Sequence, residues 1–94
     1  MHLDESWALS PSVALRPEPF GALAYHFGNR KLIFLKRPEL VAVVRGLGAA
    51  DGDGTVRSAL VAAGVPDASW SSYLSALEGL AASDMIRVSQ EAAA

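Results

Sequence analysis

Apolar and polar residues alternate between residues 13 and 36, and this period of two predicts a small antiparallel sheet. We expect a first strand from residue 13, a second over 22–27 and a third over 30–36. The dipeptide Gly28-Asn29 separates the last two strands and is typical of a two-residue hairpin turn. In that register four apolar side chains form cross-strand pairs on one face, Tyr25 with Leu32 and Leu23 with Phe34. Burial of this face would fix the register.

Beyond residue 37 the apolar period changes to that of a helix. Pro38 suits the first position of a first helix, which Gly46 ends. Thr55 can cap a second helix, and Asp67 or Ser69 can cap a third. The third helix carries a broad apolar stripe made of Trp70, Tyr73, Leu74, Leu77, Leu80 and Ala81.

Three strands in a meander followed by three helices predict an α+β fold, because the sheet must bury one face and the helices supply the cover. A helix, a short loop and an amphipathic helix beside a β-wing give a winged helix-turn-helix outline. Residues 85–88 add a short extended piece or a final turn. We interpret residues 1–12 as a loosely ordered N-terminal arm anchored by Trp7, and residues 13–90 as one domain.

The composition excludes several classes of protein. With 94 residues, of which 51% are apolar, the chain has the character of one folded domain. It has no cysteine, which removes disulfides, thiolate metal sites and cysteine nucleophiles. The N-terminus lacks the features of a signal peptide, and no stretch has the length of a membrane span. We therefore expect a cytoplasmic protein with no membrane contact, and a net charge of −2 implies no charge-driven partner.

No motif for catalysis or cofactor binding stands out. The run 51–54 (DGDG) resembles part of a calcium loop, but the glutamate that closes such loops is missing, so we interpret it as a turn. His2 and His26 have no Asp, Glu or His cluster at ligand spacing. The chain has neither a nucleophile elbow nor a phosphate-binding glycine loop. We expect no enzymatic activity and no metal, flavin or nucleotide cofactor.

The helix-turn-helix outline raises DNA binding as an alternative function. A recognition helix needs cations for the phosphates and polar side chains for the base edges. Between Arg57 and Arg87 the chain has no Lys or Arg, and the third helix region carries Asp67, Glu78 and Asp84 instead. A DNA-binding regulator remains an alternative, and a second alternative is an enzyme subunit whose surface completes a partner's active site.

The free edge of the third strand is the favoured site. Pro17 and Pro19 lack N–H groups on one side of the first strand, which blocks that edge. In the two-residue turn register, Lys31, Ile33 and Leu35 point their N–H groups outward from the third strand. That edge could accept an extended peptide as a fourth strand.

Cations flank the open edge and define the ligand that we expect. Lys31, Lys36 and Arg37 would favour an acidic peptide, although such cations also protect edges from aggregation. Trp and Tyr on the third helix are core residues that can also anchor a peptide groove. An open edge is also a template for weak homodimers. The candidate peptide-binding residues are Lys31, Leu32, Ile33, Phe34, Leu35, Lys36, Trp70, Tyr73, Leu74 and Leu77.

One stretch resembles a known family. The run RPEPFGALAYHF over residues 16–27, followed by Arg30, Leu32, residues 34–36 and Pro38, closely resembles the mycofactocin biosynthesis peptide chaperones (MftB-like). That family is similar in turn to the PqqD-like chaperone of pyrroloquinoline quinone biosynthesis, the prototype of the RiPP recognition element. The resemblance is specific over residues 7–47 and is silent over residues 48–54 and the second helix.

The resemblance implies a winged helix-turn-helix domain of three strands and three helices. Such a domain binds the leader of a ribosomal precursor peptide as a strand added to the third strand, in a groove closed by the third helix. It then presents the peptide to a radical S-adenosylmethionine (SAM) maturase, which acts on the C-terminal Val-Tyr of the mycofactocin precursor. The chaperone itself performs no chemistry and holds no iron–sulfur cluster.

Overall fold

A computed structural model of the chain describes residues 2–47 and 55–88. The predicted loop at 48–54, with its DGDG turn, lies outside the described residues. The elements in chain order are β1 (Trp7–Leu9), β2 (Val13–Glu18), β3 (Gly21–His26), β4 (Leu32–Leu35), α1 (Pro38–Gly46), α2 (Val56–Ala62), a 3₁₀ turn (Asp67–Ser69), α3 (Trp70–Ala82) and β5 (Ile86–Val88).

The α+β prediction is confirmed. Strands β2, β3 and β4 form an antiparallel meander in that order, and α1 contacts both β3 and β4. Pro38 opens α1, and the Thr55 side chain caps α2 by accepting the Ser58 N–H at 3.1 Å. The third helix begins differently from the prediction. A 3₁₀ turn leads into it, and Ser69 stands at the cap position without a side-chain hydrogen bond. No helix in the described ranges combines the length and the apolarity that crossing a membrane requires.

The predicted hairpin pairs are confirmed, but the predicted turn is wrong. Tyr25 faces Leu32 and Leu23 faces Phe34, as expected. The loop, however, has four residues (27–30) and closes with the His26 N–H donating to the Lys31 carbonyl at 3.0 Å. Arg30, not Gly28, takes the positive φ, at 62°. Polar side chains within the hairpin explain the longer loop, since they accept the loop's N–H groups.

The inner and outer faces of the sheet are the reverse of the expectation. Ala22, Ala24 and His26 are buried on the inner face, under the helices. Leu32 and Phe34, expected in the core, are 52% and 54% exposed on the opposite side. Small alanine side chains let α1 approach the sheet, and the core gains its bulk from residues of the helices and strand ends, including Leu35, Val43, Val44, Leu60 and Leu77.

The turn length also reverses the expected directions of the N–H groups on β4. His26 and Lys31 form a hydrogen-bonded pair, so the bonds of an antiparallel ladder recur at every second residue from there. Ile33 and Leu35 therefore point their N–H groups inward, toward β3. Leu32 and Phe34 point theirs outward. The prediction of outward N–H groups at Lys31, Ile33 and Leu35 is wrong, and the Lys31 N–H instead donates to Asn29 Oδ1 at 2.9 Å.

The opposite edge of the meander follows the prediction. The Phe27 N–H donates to the Ser12 carbonyl at 2.8 Å, which sets the phase of the ladder between β2 and β3. Pro17, paired with Ala22, consequently has its missing donor on the side away from β3. Pro19 lies beyond the end of the strand.

The N-terminal residues, expected as a loosely held arm, are paired with distant parts of the chain. Strand β1 pairs antiparallel with β5, with Trp7 opposite Val88, and Ser6 forms a bridge with Thr55. The Val56 N–H donates to the Glu5 carbonyl at 3.0 Å. The extended piece predicted near the C-terminus is thus a strand, in a second sheet of two strands that the sequence did not indicate.

Candidate functional site

Strand β4 ends the three-stranded sheet, and no described residue pairs with its outer side. Leu32 and Phe34 direct their N–H groups to that side. In a ladder the carbonyl groups of the same residues point the same way. The edge therefore offers two donors and two acceptors in the spacing that an extended chain requires.

A groove of about 290 Å³ lies between the end of β4 and α3. Its volume is at the lower end of the range for ligand pockets, which is roughly 300–1,000 Å³. It is lined by Phe34, Lys36, Arg37, Leu40, Ser72, Tyr73 and Ala76.

The groove is apolar at its base and positively charged at its rim. The guanidinium of Arg37 lies 5.9 Å from the centre of the Tyr73 ring, a cation–π distance that orients the side chain along the groove. Lys36 is exposed beside it, and Lys31 is exposed at the other end of β4. None of these three cations forms an ion pair with a described residue. Their charge is available to a ligand.

The groove gathers three of the ten predicted binding residues, Phe34, Lys36 and Tyr73. Two others, Leu35 and Leu77, lie in the core, where they support the walls without reaching the surface. Partly buried side chains that pack against the core are Ile33, Leu74 and Trp70. The remaining two are exposed on β4 or next to it, Leu32 and Lys31.

Trp70 lies at the junction of α2 and α3 and does not line the groove. Its Nε1–H donates to the Val65 carbonyl at 2.9 Å, and the guanidinium of Arg57 lies 6.0 Å from its ring centre. Of the four other residues of the groove, Arg37 was expected as a flanking cation, and the sequence did not indicate the remaining three. Ser72 and Ala76 are four apart and flank Tyr73, a spacing that could have marked the exposed face of α3. Leu40 belongs to the apolar stripe of α1 and gave no separate signal.

A hydrogen-bonded cluster, which we call the hairpin clamp, joins the 27–30 loop to the turn after α3. His26 Nδ1 accepts the N–H groups of Gly28 and Asn29 at 2.9 and 3.1 Å. His26 Nε2 lies 2.8 Å from Asp84 Oδ2, and Asn29 Nδ2 donates to the Ser83 carbonyl at 3.1 Å. Because Nδ1 is an acceptor, the ring proton is on Nε2 and donates to Asp84. The clamp fixes the β4 hairpin relative to the C-terminal end of α3.

The electrostatics of the clamp centre on Asp84. Hydrogen bonds from Arg87 and from His26 lower the pKa of the Asp84 carboxyl from its ordinary value of 3.8 to about 2. The same pairing raises the pKa of Arg87. Asp84 has a positive φ of 61°, so its position in the turn is itself strained. The carboxylate stays charged at any physiological pH.

The parts of the chain that the structure describes contain no group of three or more His, Cys, Asp or Glu side chains placed to hold a metal ion. At this end of the sheet the described residues present an open strand edge, a shallow groove and a cationic rim.

Comparison with known proteins identifies related chains. The profile of the Peptide chaperone MftB family matches residues 6–87. A relative from Mycobacterium ulcerans is 57% identical over 89 residues, which cover 95% of this chain and 78% of the relative. Relatives from Mycobacterium tuberculosis and Mycolicibacterium smegmatis are 54% and 55% identical over 83 residues, covering 88% of this chain and 73% and 78% of theirs. Each of the three is named Peptide chaperone MftB. No solved structure matches the chain.

Proposed function

Because the chain belongs to the Peptide chaperone MftB family, we propose that it binds the leader of the mycofactocin precursor peptide along β4 and presents it to a radical SAM maturase. The observation that carries this proposal is the open β4 edge beside the groove of α3. Family membership supports the general role of a peptide chaperone. The edge supports a particular way of binding.

The leader adds to the sheet as a fourth strand. The outward N–H and carbonyl groups of Leu32 and Phe34 bond its main chain, which gives affinity without regard to sequence. Alternate side chains of the leader then point to the inner side, toward the groove between Leu40 and Tyr73. These contacts select apolar side chains at every second position.

Charge selects the flanking residues of the leader. Lys36 and Arg37 lie at the groove end of β4 and Lys31 at the hairpin end. Acidic residues on either side of the apolar leader positions would meet these cations. Helix α3, which would face DNA in a helix-turn-helix regulator, carries no Lys or Arg. This composition favours peptide over nucleic acid as the ligand.

A titration of fluorescein-labelled leader peptide tests the mode of binding. The peptide is titrated into wild type, Phe34→Pro and Phe34→Ala. Proline removes the outward donor and the side chain, whereas alanine removes only the side chain. One main-chain hydrogen bond contributes roughly 0.5–1.5 kcal/mol, so Phe34→Pro should bind about 2- to 10-fold more weakly than Phe34→Ala. Equal affinities in the two folded variants would show that the leader does not bond to this edge.

A further inference from the structure

The outer face of the sheet, on the side away from the helices, carries a surface of large apolar side chains that the fold does not use. Phe27 is 63% exposed, and its ring makes an edge-on contact with Tyr25 at 5.1 Å. At the other end of this face the ring centres of Phe20 and Phe34 lie 5.8 Å apart. We define the outer face as Phe20, Leu23, Tyr25, Phe27, Leu32 and Phe34. Contiguous exposed apolar surfaces of this kind mark interaction sites.

The rim of the outer face is positively charged. Arg30 is exposed in the loop at the hairpin end and forms no ion pair with a described residue. Arg16 lies opposite Leu23 on β2 and is paired with Glu18 at 3.2 Å. The charge left unpaired at this rim is therefore positive, and a second copy would present the same sign. A partner whose apolar surface is bordered by Asp and Glu would be complementary.

The outer face is continuous with the peptide edge. Leu32 and Phe34 contribute their side chains to the outer face and their N–H groups to the edge. A strand added to β4 would therefore place every second side chain beside Leu32 and Phe34, on the outer face. A protein docked there would touch the chaperone and the bound peptide at the same time.

We propose that the outer face is the docking surface for the enzyme that modifies the peptide. This enzyme contacts the chaperone and the bound leader together, as one surface. This inference rests on the proposed function, because it requires the leader to lie on β4. The inference adds which face of the chaperone the enzyme contacts. It also gives the chemistry of the enzyme's docking surface, which is an apolar centre with an acidic rim. Since the enzyme contacts both components, it binds the loaded chaperone more tightly than the empty one. By linkage the enzyme then raises leader affinity by the same factor.

The test uses Phe27→Ser, which removes an exposed side chain from the outer face without touching β4. Val61→Ser is the matched control, since Val61 is 62% exposed on α2, away from this face. Association of each variant with the purified radical SAM maturase is measured by biolayer interferometry, with and without leader peptide. Leader binding alone is measured by fluorescence titration.

We expect Phe27→Ser to bind the leader within about twofold of wild type and to lose at least tenfold in affinity for the maturase, while Val61→Ser matches wild type in both. Phe27→Asp, which places an acid against the acidic rim of the partner, should weaken association further. Wild-type maturase binding by a folded Phe27→Ser and Phe27→Asp would overturn the inference. If Phe27→Ser loses a self-dimer, or loses binding to phosphatidylglycerol vesicles, while its binding to the maturase is intact, the outer face serves another occupant. That result would also overturn the inference. Failure of the wild type to bind leader is a separate result, which contradicts the proposed function itself.

Discussion

At the residue scale, His26 holds together two parts of the chain that are far apart in sequence. The residue is 4% exposed, and its ring uses both nitrogens, one as an acceptor for the hairpin loop and one as a donor to Asp84. Buried polar groups stabilise a fold only when every partner is present. The loop and the turn after α3 therefore depend on this one imidazole.

Replacing His26 by leucine should destabilise the protein. The substitution removes the acceptor of the Gly28 and Asn29 N–H groups and the donor to Asp84, and each lost hydrogen bond contributes roughly 0.5–1.5 kcal/mol. His2→Leu is the control, because the exposed His2 makes its hydrogen bond through the main-chain N–H. Urea denaturation should give a lower free energy of unfolding for His26→Leu only. Equal stability of the two variants would show that the clamp adds nothing to the fold.

The pKa of Asp84 predicts how the free energy of unfolding depends on pH. Its carboxyl has a pKa of about 2 in the folded state and an ordinary value of 3.8, so the folded state favours the charged form. The resulting stabilisation is complete above about pH 4 and is lost as the pH falls toward 2. Asp84→Asn keeps a side chain that tolerates the positive φ and removes the charge. The difference in free energy of unfolding between wild type and this variant should shrink from pH 5 to pH 2, as measured by urea denaturation. A constant difference would contradict the pairing.

At the scale of elements, β4 separates folding from binding along a single strand. Ile33 and Leu35 direct their N–H groups to β3 and their side chains toward the core. Leu32 and Phe34 direct their N–H groups to the free edge and their side chains to the outer face. Substitutions at neighbouring positions should therefore have opposite consequences.

A proline at Ile33 should damage the fold, and a proline at Leu32 should not. Ile33→Pro removes a ladder donor and leaves the Ala24 carbonyl unsatisfied in the sheet, a loss of roughly 1–3 kcal/mol before any strain. Leu32→Pro removes only an outward donor at the start of the strand. Thermal melts followed by circular dichroism should show a clear drop in Tm for Ile33→Pro alone. Equal drops would mean that the assigned directions of the N–H groups are wrong.

The close approach of α1 to the sheet depends on the alanines of β3. Enlarging Ala24 to leucine should overpack the space beneath the helix, at a cost of about 1–3 kcal/mol. Ala14→Leu is the matched control, since Ala14 is exposed on β2 opposite Tyr25. Guanidinium denaturation of both variants should show destabilisation for Ala24→Leu and little change for Ala14→Leu. A stable Ala24→Leu would show that the helix has room to move.

At the scale of the whole molecule, the described residues leave two surfaces open, the β4 edge and the outer face. An open edge is a template for a second copy, which pairs through the same Leu32 and Phe34 groups across a twofold axis. The isolated protein should therefore self-associate weakly, and leader peptide should dissociate the dimer by competing for those groups. Sedimentation velocity with and without leader measures this. A dimer that persists at saturating peptide would use a different contact.

The sequence predicted the order of the meander strands and the helices, as well as the pairs of the hairpin, because these follow from local period. It could not predict the turn, since the loop length depends on the side chain of His26 reaching its own hairpin. Nor could the sequence assign the two faces of the sheet. Large apolar side chains are ordinarily buried, whereas the inner face here needs small side chains under α1. The pairing of β1 with β5 joins opposite ends of the chain and leaves no local pattern.

The same limits apply to the candidate site. The sequence identified β4 as the open edge strand of the sheet, because prolines exclude the other edge. It placed the outward N–H groups one residue out of phase, since a change in turn length exchanges bonded and non-bonded pairs along the ladder. Helical spacing alone places Trp70 with Tyr73, but the Trp70 Nε1–H donates to the Val65 carbonyl at the α2–α3 junction.

The alternation along β3 has a consequence for how this protein can evolve. Ala22, Ala24 and His26 face the helices, and Leu23 and Tyr25 face away from them. Selection for a stable fold acts on the first set, and selection for the outer surface acts on the second. Neither set constrains the other, because a strand keeps its two faces apart. A lineage can therefore change the outward residues of this strand to suit a new partner and leave the inward residues, and the fold that they maintain, as they were.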